Sequence, residues 1–144
     1  MSSEQNKTIL RRIMLEIISR VDYALADELI ALDVDARTLR VGQTPGREGF
    51  KRGLDLVRAG FPDWESVPGQ FIGEGDIVAA RWTVQGTHTG SYLGIPPTGI
   101  RVEMREMGFF RFAGGKLVEY ETLADEISLL RQIGVLPPGP TANS

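Results

Sequence analysis

Hydrophobic residues follow a helical period at the start of the chain. Isoleucine, leucine and valine recur at intervals of four residues from Ile9 to Leu29, which places apolar side chains on one face of a helix. We therefore predict helix over residues 6–32, with a break into two helices at Asp22 or Asp27.

The pattern changes to a period of two in the second half of the chain, where long alternating runs are separated by glycine-rich turns. Helices followed by an antiparallel meander predict an α+β fold. Strands of about ten residues must twist and coil, which predicts a hollow between sheet and helices. After the first helix we predict a strand over 33–41, a turn over 42–46, a helix over 47–60, strands over Glu65–Gly73, Ile77–Thr89, Ile100–Phe112 and Lys116–Leu123, an ordered loop over 90–99 and a closing helix from Asp125 to Ile133.

The alternation assigns side chains to the inner or outer face of each strand. On the last strand, Val118 is predicted to share a face with Tyr120 and Thr122. The combined inner face is mostly apolar with a few polar groups, which is typical of a ligand pocket but also of an ordinary packed core. The inner set is Trp82, His88, Met104, Glu106, Phe110, Tyr120 and Thr122.

Glu106 is a lone carboxylate on this apolar face. Burial favours the protonated form of a carboxyl group, which suits a general acid or base near neutral pH. The alternative is an ion pair with an inward arginine, either Arg37 or Arg40, or a strand-edge position open to water.

The other polar residues of the inner face have catalytic and structural interpretations. His88, near a strand end, would act as a base or hydrogen-bond donor at the pocket mouth or would serve the structure. Tyr120 and Thr122 would donate hydrogen bonds to a substrate carbonyl, although a buried tyrosine is often satisfied internally.

Composition excludes several classes of function. The net charge is −3 and the pI about 5.2, so we expect no nucleic-acid partner. The chain has no cysteine and one histidine, which excludes thiolate metal sites and thiol nucleophiles. There is no signal peptide at the start and no apolar run of membrane-spanning length, so we expect a cytoplasmic protein with no membrane partner.

Three segments resemble the SnoaL-like polyketide cyclase family, a branch of the nuclear-transport-factor-2-like superfamily. They are GREGFKRGLDLVRAGFPDW (46–64), GEGDIVAARWTVQGTHTGSYLGIPPTG (73–99) and FFRFAGGKLVEYETLADEISLLRQIGVLP (109–137). The resemblance covers roughly residues 8–137. It implies a single domain over 1–137 with a loose tail over 138–144, and a cone-shaped α+β barrel in which N-terminal helices pack on a strongly curved, mainly antiparallel sheet.

The resemblance also implies a function. The family's characterised cyclases close a ring of a polyketide ester by an intramolecular aldol reaction, with an acid/base carboxylate in the pocket and the enolate delocalised through the substrate. It implies no metal or organic cofactor, a small apolar or aromatic substrate, and a homodimer or homotetramer.

One position departs from the family pattern. Thr122 occurs where cyclase-like members carry the acidic residue, and a threonine is not a base near neutral pH. Glu106 would supply the missing carboxylate from the neighbouring strand. Asp125 matches a family aspartate and is either a further acid/base candidate or the N-cap of the last helix.

Three functions are consistent with these residues. The first is a cyclase-type lyase or isomerase with Glu106 as acid/base, whose pocket walls are Tyr23, Trp82, Met104 and Phe110. The second is a hydroxylase-related or hydrolase activity on the same scaffold. The third is a non-catalytic ligand-binding or interaction protein, in which the polar outer face of the sheet forms a dimer surface. That outer face carries Arg81, Thr83, Arg101, Glu103 and Arg105.

Overall fold

The computed structural model describes residues 2–140, which form helices packed against one five-stranded sheet. The elements in chain order are helix α1 (Ser3–Arg12), a π-helical segment (Ile13–Ile18), helix α2 (Tyr23–Leu29), strand β1 (Ile30–Ala36), helix α3 (Gly46–Gly60), strands β2 (Glu65–Glu74), β3 (Ile77–Thr87), β4 (Arg101–Ala113) and β5 (Lys116–Ala124), and helix α4 (Glu126–Gln132).

The N-terminal helical region begins and ends earlier than the sequence predicts and is more divided. The Ser2 hydroxyl accepts from the Gln5 amide while the Gln5 side chain accepts from the Ser2 amide, a capping box that starts α1 earlier than predicted. The predicted break occurs at Asp22, whose carboxylate caps α2. Helix over residues 30–32 is wrong, because Ile30 begins strand β1 and pairs with β5.

The sheet order is β1-β5-β4-β3-β2. The pairings β2–β3, β3–β4 and β4–β5 are antiparallel, and β1 adds to the edge parallel to β5. This arrangement confirms the predicted α+β fold with a mainly antiparallel sheet. Among the described residues, no helix is long and apolar enough to cross a membrane.

The predicted alternation is confirmed on the two central strands. The even-numbered residues of β3 from Val78 to Gly86 are buried, as are most of those of β4. The prediction fails only at the start of β5, where a bulge opposite Phe112 shifts the register at Val118. Leu117 consequently takes the buried position and Val118 is only partly buried.

The C-terminal helix ends the described part of the fold. The Asp125 carboxylate accepts from the Ser128 amide at 3.2 Å and caps α4, which confirms the N-cap alternative. Gly134 follows the helix with φ +82°, a left-handed conformation that terminates helices. The last residues of the predicted 138–144 tail, 141–144, lie outside the described residues.

Candidate functional site

A cavity of about 90 Å³ lies between the helices and the inner face of the sheet. Its wall is mainly apolar, because helix and sheet turn their buried faces toward each other. Trp82, Phe110 and Tyr120 form an aromatic side, with ring centroids 5.5 Å apart for the first pair and 6.4 Å for the second. The remaining apolar side chains of the wall are Leu10, Ile13, Met14, Ile18, Phe50, Leu54, Val57, Trp64, Val84 and Leu117.

Glu106 supplies a carboxylate to this cavity. Its side chain is 5% exposed, and its Oε1 atom lies 2.5 Å from Nη2 of Arg40, which is 35% exposed. The ion-pair alternative considered from the sequence is therefore confirmed for Arg40. Arg37 instead points outward, toward Glu119 and Glu121.

The ion pair stabilises the charged form of Arg40. Burial is the largest single effect and acts to lower the pKa of Arg40, but the attractions of Glu106, Tyr92 and Glu126 together outweigh it, so this pKa lies above its usual range. A buried carboxylate without such a partner is strongly disfavoured. Glu106 therefore enters the cavity wall as one partner of an ion pair with Arg40.

Arg40 belongs to the segment 37–45 between β1 and α3, which we call the strap. Three side chains of the strap each make a hydrogen bond or an ion pair with one polar residue of β4 or β5 in the cavity wall. The Thr38 hydroxyl accepts from the Thr122 backbone amide at 2.8 Å, Arg40 pairs with Glu106, and the Gln43 amide donates to the Tyr120 hydroxyl at 2.8 Å. Gly42 and Gly46, with φ +81° and +80°, allow the strap to turn into α3.

Tyr120 presents a neutral phenol to the cavity. Burial raises its pKa, although the hydrogen bond from Gln43 and the charge of Arg40 oppose this effect. Because its oxygen accepts the Gln43 hydrogen bond, its own hydrogen is available for donation to a ligand.

Five of the nine residues that the sequence analysis selected line the cavity: Trp82, Glu106, Phe110, Tyr120 and Thr122. The other four are placed elsewhere. Met104 is buried beneath the cavity lining, and Asp125 is exposed as the cap of α4.

His88 and Tyr23 are the clearest departures from the expected site. His88 is fully buried, stacks on Phe61 at 5.2 Å and lies with Nδ1 2.9 Å from the Thr98 hydroxyl, so it fixes the 90–99 loop away from the cavity. Tyr23 bonds Asp55 at 2.5 Å on the flank of α3. Strand period assigns His88 to a buried face but not to its partners, because His88 lies just beyond the end of β3. It gives no position for Tyr23, which lies on α2.

The strap is a part of the site that the sequence pattern did not predict. Thr38 and Gln43 were not selected, and Arg40 entered only as an alternative partner of Glu106. The weak alternation of residues 33–41 is the available signal, since Thr38 and Arg40 have the same parity. Among residues 2–140, no group of three or more His, Cys, Asp or Glu side chains is arranged to hold a metal ion.

Residues 8–133 match the SnoaL-like polyketide cyclase family. The chain belongs to this family. Nogalonic acid methyl ester cyclase of Streptomyces nogalater is 31% identical over 110 residues, which are 75% of this chain and 82% of that enzyme.

Solved structures of the SnoaL-like fold support the same assignment. IdmH of Streptomyces antibioticus, described as a candidate polyketide cyclase, is 30% identical with a TM-score of 0.81 and covers 90% of this chain and 99% of its own. AclR of Streptomyces galilaeus, described as a candidate hydroxylase, is 27% identical with a TM-score of 0.82 and covers 96% and 87%.

Proposed function

We propose that this SnoaL-like chain closes a ring in a small, largely apolar polyketide ester by an intramolecular aldol reaction. The observation that carries the proposal is the Glu106 carboxylate, buried in an apolar cavity beside the aromatic side chains of Trp82 and Phe110. The 31% identity to a methyl ester cyclase supports the same substrate class.

Glu106 is the acid/base in this proposal. Its carboxylate removes a proton from the carbon beside the ester carbonyl, and the electron pair left on that carbon forms a bond to a second carbonyl carbon of the same molecule. The oxygen of the second carbonyl then takes the proton back from Glu106 and becomes a hydroxyl. The same carboxylate removes the proton and returns it, so the reaction neither consumes nor releases a proton. This chemistry requires neither a metal nor an organic cofactor.

Tyr120 and Thr122 orient the substrate in the proposed reaction. The Tyr120 phenol is protonated at neutral pH, as any tyrosine is, and burial raises its pKa further, so it donates to a substrate carbonyl oxygen. The Thr122 hydroxyl, 3.4 Å from that of Thr38, offers a second polar contact. His88 and Asp125 have no part in this mechanism, since neither lines the cavity.

The direct test is turnover of nogalonic acid methyl ester by Glu106→Gln. Removing the acid/base is expected to lower kcat by roughly 10²–10⁴-fold. Glu103→Gln is the matched control, because Glu103 lies on the same strand with an exposed side chain. Equal turnover by both variants excludes Glu106 from the mechanism.

A non-catalytic ligand-binding protein is the second candidate function. It is favoured by Thr122, which occurs where the family resemblance places a carboxylate and is bonded to Thr38. The candidate hydroxylase among the structural relatives keeps the hydroxylase or hydrolase alternative open. Product analysis of the same incubation separates these outcomes: unchanged ester supports binding, and an oxygenated or hydrolysed product supports the other chemistries.

We also propose a cytoplasmic homodimer formed through the outer face of β3 and β4. Arg81, Glu103 and Arg105 provide complementary charges for an isologous contact. Exposed apolar side chains adjoin them, with Met107 56%, Phe109 61% and Leu123 77% exposed.

A further inference from the structure

The cavity is partly open to solvent and is smaller than ordinary ligand sites. Its volume is about 90 Å³, whereas pockets for drug-sized molecules measure about 300–1,000 Å³. A fused-ring polyketide therefore requires additional space next to the cavity.

Two surface grooves adjoin the cavity and provide this space. The first, of about 270 Å³, runs along α3 past Leu56 and Leu93, and we call it the helix groove. The second, of about 360 Å³, runs past Leu39 and Leu123, and we call it the strand groove. The helix groove shares Gly53 and Val57 with the cavity, and the strand groove shares Thr38 and Thr122.

Arg40 is common to all three spaces. Its guanidinium reaches inward to Glu106 and lies where the cavity adjoins both grooves. A long side chain that is 35% exposed can change rotamer without movement of the backbone.

A second carboxylate lies on the outer side of Arg40. Glu126, the first residue of α4, lines both grooves together with Arg40 and is partly buried. Within residues 2–140 it makes no ion pair of 4.0 Å or less in this conformation. The negative charge of Glu126 acts to raise the pKa of Arg40. Burial, Glu106 and Tyr92 have larger effects on the same pKa.

We infer that Arg40 is a movable partition that exchanges Glu106 for Glu126, and that its displacement joins the cavity and the two grooves into one binding site for an elongated, largely apolar polycyclic ligand. The inference rests on the proposed function for the nature of the ligand. It adds two binding subsites and a specificity-determining residue. It also explains how a carboxylate paired at 2.5 Å becomes free to take a substrate proton: the same movement that admits the ligand releases Glu106.

Ligand size provides the test, because a one-ring compound needs no displacement of Arg40. The probes are danthron, a neutral three-ring dihydroxyanthraquinone, and p-cresol, which has one ring. Both tryptophans of the chain, Trp64 and Trp82, line the cavity, so stopped-flow quenching of their fluorescence reports its occupation.

Arg40→Ala is expected to bind danthron roughly tenfold faster than the unmodified chain, because an open state of a few per cent no longer limits entry. The association rate of p-cresol should change less than about twofold, because a one-ring compound needs no displacement of Arg40. Arg37→Ala is the matched control: it removes the same charge from the same strap, but its side chain lies outside the cavity and both grooves.

Glu126→Gln is the complementary variant. It leaves the Arg40–Glu106 pair intact and is expected to slow danthron association several-fold, because the displaced guanidinium loses its outer partner. This variant carries the test if Arg40→Ala does not fold.

Equal danthron kinetics for Arg40→Ala and Arg37→Ala overturn the inference, as does an unchanged rate for Glu126→Gln or the absence of danthron binding to every variant. These binding results are independent of turnover. If danthron binding contradicts the role of Arg40, the turnover result for Glu106→Gln is unaffected. If the chain shows no cyclase activity, the danthron kinetics can still be interpreted.

Discussion

The backbone amide of Thr122 donates to the hydroxyl of Thr38 at 2.8 Å, which ties β5 to the strap at the edge of the cavity. Thr122 also lies in the cavity wall with Glu106. The position where family resemblance places a carboxylate thus holds a threonine, while the neighbouring strand β4 carries Glu106.

The relationship between these two positions predicts a rescue. Thr122→Asp, introduced into Glu106→Gln, is expected to restore at least roughly tenfold of the lost cyclisation rate, because it returns a carboxylate to the same cavity. The measurement is kcat on nogalonic acid methyl ester. Thr122→Asn in the same background is the control, since it has a similar shape and no base. Equal rates for the Asp and Asn variants contradict the prediction.

The ion pair between Arg40 and Glu106 predicts a coupled effect on stability. Arg40→Met leaves a buried carboxylate without a partner, so we expect it to lower the free energy of unfolding by about 1–3 kcal/mol, a range reduced for the partial exposure of Arg40. Adding Glu106→Gln should recover part of this loss. Urea unfolding of the single and double variants measures the coupling energy, and strictly additive losses would show that the pair contributes none.

The tyrosines predict an unusual alkaline titration. All three tyrosines of the chain have a raised pKa, and burial is the first cause in each. An unfolded chain ionises its tyrosines near pH 10. Above that pH the unfolded state therefore loses protons that the folded state retains, and stability falls as pH rises.

Ultraviolet absorbance should consequently show little phenolate at pH 10 and then a cooperative increase together with unfolding. Tyr120→Phe should weaken the alkaline loss of stability, because it removes one of the three contributions. Ordinary titration near pH 10 in a chain that circular dichroism shows to be folded would contradict the assignment.

The outer face of the sheet predicts the oligomeric state. Multi-angle light scattering at micromolar concentration is expected to give twice the 15.8 kDa mass of the chain. Phe109→Glu should produce a monomer, because Phe109 is 61% exposed on that face and a buried unpaired charge opposes association. Leu15→Glu is the control on an exposed helical position; dissociation by both variants, or a monomeric parent chain, counts against this surface.

The sequence predicts the parts of the site that follow strand periodicity. Trp82 and Glu106 are opposite each other in the β3–β4 register and both are buried, as alternation requires. Phe110 and Tyr120 follow from the same rule.

The remaining parts depend on contacts between distant segments, which local periodicity does not contain. Ile30 is a strand residue because β5 pairs with it, although its own pattern continues a helix. His88 lies one residue beyond the end of β3 and turns to Phe61 and Thr98. Arg40 contacts Glu106 from a segment without regular structure.

The strap also constrains the order in which the chain can acquire its site. Thr38 and Thr122 are 84 positions apart, and contacts of such separation form slowly because a long loop must close first. During synthesis from the N-terminus, the strap emerges long before the β5 residues that it bonds. The mouth of the cavity is therefore absent from every nascent chain that lacks β5, and the apolar wall contributed by the first helices stays uncovered until translation of the domain is nearly complete.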